Sequence, residues 1–332
     1  MKILIVGCGI AGVTYARLLA EADHQITIID QRNHVAGNVY DHFIENIRVH
    51  KYGLHIFHTN NDTVINWLSK FTGWVEYKHI NKALYNEEYY PIPINKFNID
   101  RLGIDKCIEV FVKPYSEKMW GIPYETISKK NVFKRIPIKD NYNPYYFPKD
   151  KFQGFPSNGY TEMVNNILDH KRITVQLDTK FHKVYEKEFD YTFNSMSIDE
   201  YYEYRYGELP YRSMKYDLQK KETNSFLEYP QVVFTNKTGP TRVKEWKKLP
   251  NHGDSQITLI TYENPCDYKE NNYERYYPMI LKDKSAIELY NKYKNIENKK
   301  MKFIGRCGTY QYLNMDQVIN QSMIGVNNWL NI

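Results

Sequence analysis

The chain has 332 residues, 42% of them hydrophobic, and a net charge of +6, which is enough for two or three packed units around at least one sizeable core. Its four cysteines, Cys8, Cys107, Cys266 and Cys307, form no CxxC pair, so neither a zinc site nor a disulfide framework is indicated and a reducing, cytoplasmic setting is expected. No apolar run approaches the roughly 20 residues of a membrane span, and neither a membrane nor a nucleic acid is expected as partner: the basic residues are interleaved with acids, and no RNP-like or helix-turn-helix pattern accompanies the 31 tyrosines that could stack on bases.

Lys2 to Val6 is an Ile- and Val-rich strand that ends in a glycine turn. After it, "AGVTYARLLAEAD" spaces Val13, Ala16, Leu18, Leu19 and Ala20 as a helix packed on a sheet, and "HQITIID" is a second strand. Together they open an α/β sheet. "NNDTVINWLSKF" predicts a helix capped by Asn61 or Asp62, with Val64, Ile65, Trp67, Leu68 and Phe71 on its apolar face. "ALYNEEYYPIPI" (83–94) predicts a hairpin turning at "NEE". From Ile99 to Trp120 the helical spacing of Ile104, Cys107, Ile108, Phe111 and Val112 is expected to be interrupted by Pro114. Short aromatic–polar runs from Tyr201 to Met279 suit an antiparallel sheet. "MKFIG" is a last strand, and Gln317 to Leu330 a last helix.

The strongest motif is "GCGIAG". Gly7, Gly9 and Gly12 follow a strand and precede a helix in G-x-G-x-x-G spacing. The first glycine allows the tight turn, the second lets backbone approach a pyrophosphate, and the third lets helix and strand pack closely. The helix N-terminus then offers unpaired N–H groups to the phosphates. Asp30, ending the second strand, is placed to accept hydrogen bonds from an adenosine ribose. His55 and His58 stand at i, i+3, but no third ligand follows at metal-site spacing, so no metal is expected. Glu87 and Glu88 are adjacent and point to opposite faces of a strand, which suits a solvated hairpin tip better than a catalytic carboxylate pair.

Further along, "YGLHIFHT", "PINKF", "YSEKMWG", "KRIPIKDNY", "FQGFPSNGYTEM", "YRYGELPYRSM", "YYPM" and "GRCGTYQYLNM" occur in order from end to end. This series resembles the UDP-galactopyranose mutase family. The resemblance implies an isomerase of cell-surface glycan biosynthesis that interconverts UDP-galactopyranose and UDP-galactofuranose. In it N5 of reduced FAD is the nucleophile on the anomeric carbon and UDP is the leaving group. "HVAGNVYD" after Asp30 likewise matches the FAD loop of glutathione-reductase-like flavoproteins. The resemblance assigns Arg135 and Arg242 to a diphosphate clamp, where planar guanidinium forks suit phosphate oxygens, and Arg212 to a third pocket arginine. It assigns Tyr115, Tyr146, Tyr277 and Tyr312 to the same diphosphate, Trp120 to a mobile loop near 115–125, Phe111 to the uracil and His55 to the flavin. The cofactor set it implies is Gly7, Gly9, Ile10, Gly12, Asp30, Gln31, Gly37, Asn38, His55, Arg306, Tyr312, Asn314 and Met315.

The expected fold is therefore α/β: a discontinuous Rossmann-like FAD-binding domain (1–76, 160–200, 300–332), a reduced helical region (95–130) and an antiparallel substrate sheet (77–94, 131–159, 201–299). The helical region is shorter than the family's, Leu54 replaces a proline of the family pattern, and Asn314 replaces an acid. Other readings are a mutase acting on UDP-N-acetylgalactosamine or a dTDP-sugar, an amine-oxidase-like flavin oxidoreductase, or a non-catalytic nucleotide-sugar binder. A reductant such as NAD(P)H and a homodimer are left open.

Overall fold

The computed structural model describes residues 1–127, 132–133, 136–279 and 284–331. Five strands form a parallel sheet: β1 (Lys2–Val6), β2 (Gln25–Ile29), β10 (Ile173–Gln176), β11 (Tyr191–Asn194) and β17 (Met301–Phe303), in the order β10-β2-β1-β11-β17. Central β1 pairs in register with β2 (Ile3 with Ile26) and with β11 (Ile3 with Tyr191). It is covered on both faces, which is why "ILI" is apolar throughout and Ile3, Leu4 and Ile5 are fully buried. The opening helix Ile10–Glu21 and the closing helix Met315–Leu330 lie against each other. Their approach is close enough that a Cβ on Gly325 would collide with the Tyr15 hydroxyl. Both ends of the chain thus build one unit.

A second sheet has seven strands: β7 (Asn81–Tyr85), β8 (Glu88–Ile92), β12 (Tyr211–Lys221), β13 (Gln231–Phe234), β14 (Arg242–Glu245), β15 (Thr258–Asp267) and β16 (Tyr277–Pro278), in the order β16-β12-β15-β14-β13-β7-β8. It is antiparallel except where β13 runs parallel to β7, so the expected purely antiparallel sheet is mixed. That single parallel pair splices the early hairpin onto the strands of the 200s. The hairpin turn is two residues long, Asn86 and Glu87 at φ 48° and 65°, the positive-φ pair that matches strand twist; Glu88 already belongs to β8. The remaining strands form the ribbon β3 (Asp41–Ile44) with β4 (Ile47–His50), and the small sheet β5 (Phe57–Thr59), β9 (Phe152–Pro156) and β6 (Trp74–Glu76).

The helical region comprises Lys96–Leu102, Ile104–Cys107, the π-helical Ile108–Val112 and Lys113–Trp120. Pro114 was expected to interrupt a helix; instead it lies in the first turn of Lys113–Trp120, where its missing N–H is no loss and its fixed φ favours helix. The helix Asp62–Leu68 is capped by Asn61, whose side chain accepts from the N–H of Thr63 and Val64. The last helix starts two residues before Gln317, because Asn314 and Gln317 form a capping box. No helix among the described residues is long and apolar enough to cross a membrane.

Candidate functional site

A channel runs over the C-terminal ends of the parallel strands, lined by Gly7, Gly9, Ile10, Gly12, Asp30, Gln31, Gly37 and Asn38 and, further along, by His55, Arg306 and Met315. Gly7 has φ +98°, and a Cβ there would collide with Ser195 Oγ; a Cβ on Gly12 would collide with the Gly7 carbonyl. A Cβ on Gly9 would lie 3.8 Å from Gly37 Cα and meet no other atom within 4 Å, which leaves its backbone open to the channel. No side chain caps the opening helix and no acid occupies its first turn, so its N–H groups are available to phosphate. The Asp30 carboxylate accepts from the N–H of Cys8 (2.7 Å) and of Arg32 (2.9 Å), bracing the glycine turn while keeping lone pairs for a ribose. These features fit a dinucleotide cofactor.

The channel meets a second cavity at His55, Arg306 and Met315, which line both. His55 Nδ1 lies 2.8 Å from the Gly53 carbonyl. A carbonyl only accepts, so Nδ1 carries the proton and Nε2 has none; the Tyr276 hydroxyl, 3.3 Å from Nε2, gives its own proton to the Tyr52 carbonyl at 2.9 Å. Burial, and after it the charge of Arg306, push the imidazole down to about 3, so His55 is neutral at physiological pH. Arg306 is held by a 2.7 Å bond from Nε to the Leu313 carbonyl, with its guanidinium 5.0 Å above the Tyr312 ring.

The second cavity, about 440 Å³, is a cleft between the helical region and the seven-stranded sheet. Phe111, Tyr115, Trp120, Tyr146, Arg242, Tyr312 and Asn314 line it, and so do His79, Asn81 and Gln231, which sequence reasoning did not single out. Tyr312 and Asn314, expected at the cofactor, line this cleft, while their chain neighbours Leu313 and Met315 line the channel. Phe111 leans edge-on against Tyr85 and is tilted on Tyr90, with centroids 6.1 and 5.3 Å away.

Cross-strand register builds the charged part of the floor. Arg242 on β14 is opposite Glu263 on β15, and Glu263 is opposite Tyr216 on β12. Lys244, two residues from Arg242, falls on the same face. Glu263 accepts from Arg242 Nε through one oxygen and from Lys244 Nζ through the other. Glu263 and Lys244 are each 1% exposed, whereas Arg242 retains 27% toward the cleft. Burial alone would raise the Glu263 carboxyl, but the two cations outweigh it and hold it down at about 2. Burial draws Lys244 down to about 8 despite the carboxylate, and the attraction of Glu263 keeps the desolvated Arg242 charged. Gly53 makes room, since a Cβ there would lie 2.7 Å from Glu263 Oε1. One face of the arginine fork is thus fixed and the other meets the cleft.

Arg212 and Tyr277 stand apart from the cleft lining. They are partners across β12 and β16, and both donate to the C-terminal carbonyls of Lys113–Trp120: Arg212 Nε to Met119 at 3.2 Å and Nη2 to Lys118 at 3.3 Å, and the Tyr277 hydroxyl to Met119. Gly121, at φ +69°, leaves the space that the guanidinium fills. Arg212, expected as a third pocket arginine, and Tyr277, expected at the diphosphate, both anchor the helix bearing Tyr115 and Trp120. His58 is bonded to Asp150 at 2.6 Å and stacked on Phe147. Arg135 lies outside the described residues.

A dinucleotide channel on a parallel sheet, opening into an arginine-bearing cleft floored by a mixed sheet, defines a two-cavity enzyme of the Rossmann-like class; a profile for the NAD(P)-binding Rossmann-like domain matches residues 5–71. The profile of UDP-galactopyranose mutase matches residues 110–312. Relatives include a probable UDP-galactopyranose mutase of Klebsiella pneumoniae (30% identical, 97% of this chain and 93% of the relative) and a dTDP-fucopyranose mutase of Escherichia coli (31%, 97% and 96%). The UDP-galactopyranose mutase of Mycoplasma genitalium is 32% identical over 96% of this chain and 92% of its own length. A crystal structure of reduced UDP-galactopyranose mutase superposes with a TM-score of 0.77 at 15% identity, over 99% of this chain and 95% of the other, which shows the shared fold. The chain belongs to the UDP-galactopyranose mutase family and is an isomerase.

Proposed function

We propose that the chain interconverts UDP-galactopyranose and UDP-galactofuranose with reduced FAD bound in the channel. The meeting of channel and cleft at His55, Arg306 and Met315 carries this reading, because these residues line both cavities and groups bound in the two would come together beside them. When bound, reduced FAD supplies the nucleophile for the anomeric carbon. Arg242 neutralises the diphosphate as it leaves and returns, with Tyr115, Tyr146 and Tyr312 around it. Its Nε is committed to Glu263, so the guanidinium keeps one orientation while charge develops on the leaving group. Arg306 puts a fixed positive charge beside the reacting end, favouring an anionic reduced ring. His55, neutral and with Nε2 as acceptor, orients a neighbouring hydroxyl or N–H without exchanging protons at neutral pH. Arg135 is the second arginine of the clamp by resemblance.

The test is the reaction itself. Purified protein should show a flavin spectrum, and after dithionite reduction it should convert UDP-galactofuranose into UDP-galactopyranose with no net change in the substrate's redox state. Stoichiometric reoxidation of the flavin by substrate would point instead to an oxidoreductase. Conversion of a dTDP-linked sugar in place of UDP-galactofuranose would overturn the choice of substrate while keeping the mutase reaction.

A further inference from the structure

The floor of the cleft has a second polar row, beside the one that holds Arg242. Gln231 is opposite Lys244 across β13 and β14, and the parallel register of Val232 with Lys82 brings Gln231 next to Asn81. Asn81 and Gln231 both line the cleft and are 3% and 4% exposed. The Asn81 side-chain oxygen has no hydrogen-bond partner among the described residues. An unpaired buried acceptor is destabilising, and apart from Gln231 the strand residues packed beside it on the same face include the apolar Ile92, Ala83 and Val233. A leucine or valine at position 81 would suit that packing better. A carboxamide kept there at a cost, on the wall of a ligand cleft, is completed by the ligand.

The register also locates the group along the cleft. Asn81, Ala83 and Tyr85 succeed one another on one face of β7; Arg242 belongs to the Ala83 row, and Phe111 packs on Tyr85 beyond it. On the other side, Asn81 shares its row with Lys244, whose charge is felt by both His79 and His55. Asn81 therefore lies on the His55 side of Arg242, away from the aromatic end. On the reading of the preceding section, which places the diphosphate at Arg242, that is the sugar side. We propose that Asn81, with Gln231 beside it, hydrogen-bonds a hydroxyl of the sugar, so that the cleft selects nucleotide sugars carrying that hydroxyl over their deoxy counterparts. A site built to pair a hydroxyl rejects the analogue lacking it far more strongly than an apolar pocket rejects a change of size.

The experiment compares reduced holoenzyme and the Asn81→Leu and Gln231→Leu variants on UDP-galactofuranose and on the analogues in which each sugar hydroxyl is removed in turn. With wild type, one deoxy analogue should lose about tenfold to a hundredfold in kcat/KM. Asn81→Leu should lose a similar factor on the parent substrate but nothing further on that one analogue, so the two losses do not add. Full activity of both variants on the parent, or an equal loss on every analogue, overturns the proposal. If Asn81→Leu does not fold or load flavin, Asn81→Ser, smaller and still polar, carries the same comparison. Failure of wild type to convert the parent sinks the functional reading itself; normal wild-type turnover with additive losses sinks only the subsite.

Discussion

Glu263 shows how a single side chain decides what its neighbours can do. It compensates two buried cations at once, and its carboxylate fixes the arginine that faces the cleft. Removing one partner from a buried ionic cluster leaves uncompensated charge, typically at about 3–5 kcal/mol. Glu263→Gln should therefore lower unfolding free energy by about that much, because Arg242 and Lys244 then face each other with no carboxylate between them. Lys244→Met should cost less, since it leaves a one-to-one Arg242–Glu263 pair. Urea unfolding of the two variants checks the order, and equal stability would show that the carboxylate does not bridge them. Neither residue was legible in the sequence. "VKEW" and "TYENP" look like strand segments with charges toward water, and only the pairing of β14 with β15 turns those charges inward onto one another. The glycines of "GCGIAG" were legible because their constraint is local: one turn, one strand and one helix.

At the scale of elements, the helix Lys113–Trp120 is held at its C-terminal end from two directions. Arg212 and Tyr277 grip the Lys118 and Met119 carbonyls. Lys118 Nζ reaches across to the carbonyls of Phe234 and Pro240, at 3.3 and 3.0 Å, on the strand end and loop that precede Arg242. A cation at a helix C-terminus also meets the favourable end of the helix dipole. The helix that lines the cleft with Tyr115 and Trp120 is thereby registered against the strand that supplies the arginine. Arg212→Leu should raise KM for the nucleotide sugar with a smaller change in kcat, because it loosens the wall without removing a group that meets developing charge; Arg242→Ala should depress kcat/KM more deeply. An Arg212→Leu variant whose loss lies wholly in kcat would mean that the guanidinium acts on the reacting atoms. The resemblance located Arg212 and Tyr277 near the substrate, but which way they point depends on the pairing of β12 with β16 and on Gly121, and neither leaves a mark in "PYRS" or "YYPM". Pro114 taught the same lesson in reverse: its effect depends on where the helix begins, and the π-helical turn before it moved that boundary.

The molecule as a whole keeps an unusual number of histidines neutral inside it. His50 and His252 are 2% and 1% exposed, with their Nε2 atoms 3.1 Å apart. The His55 N–H donates to His50 Nδ1 at 3.2 Å, so His50 carries its proton on Nε2 and gives it to His252 Nε2; His252 in turn donates from Nδ1 to the Pro250 carbonyl at 2.8 Å. Every nitrogen is assigned with both rings neutral, and an added proton would break the chain. Burial, with neighbouring positive charge, holds His50 well below its ordinary value, His252 at about 4, and His55 and His79 each at about 3. The unfolded chain titrates these groups near 6.5, so below that pH it binds more protons than the folded one, and stability falls as pH falls. Each fully linked histidine contributes about 1.4 kcal/mol per pH unit. With four of them the urea midpoint should drop steeply between pH 6.5 and 4. Glu263, held at about 2, steepens the loss further once the pH passes below 4.5, the ordinary value of an unfolded glutamate. Above pH 6.5 these groups should leave the midpoint flat. His252→Gln should reduce the acid-side slope by about one proton while weakening the protein at neutral pH, and a wild-type midpoint that stayed constant down to pH 4.5 would mean that the imidazoles titrate normally in the folded state.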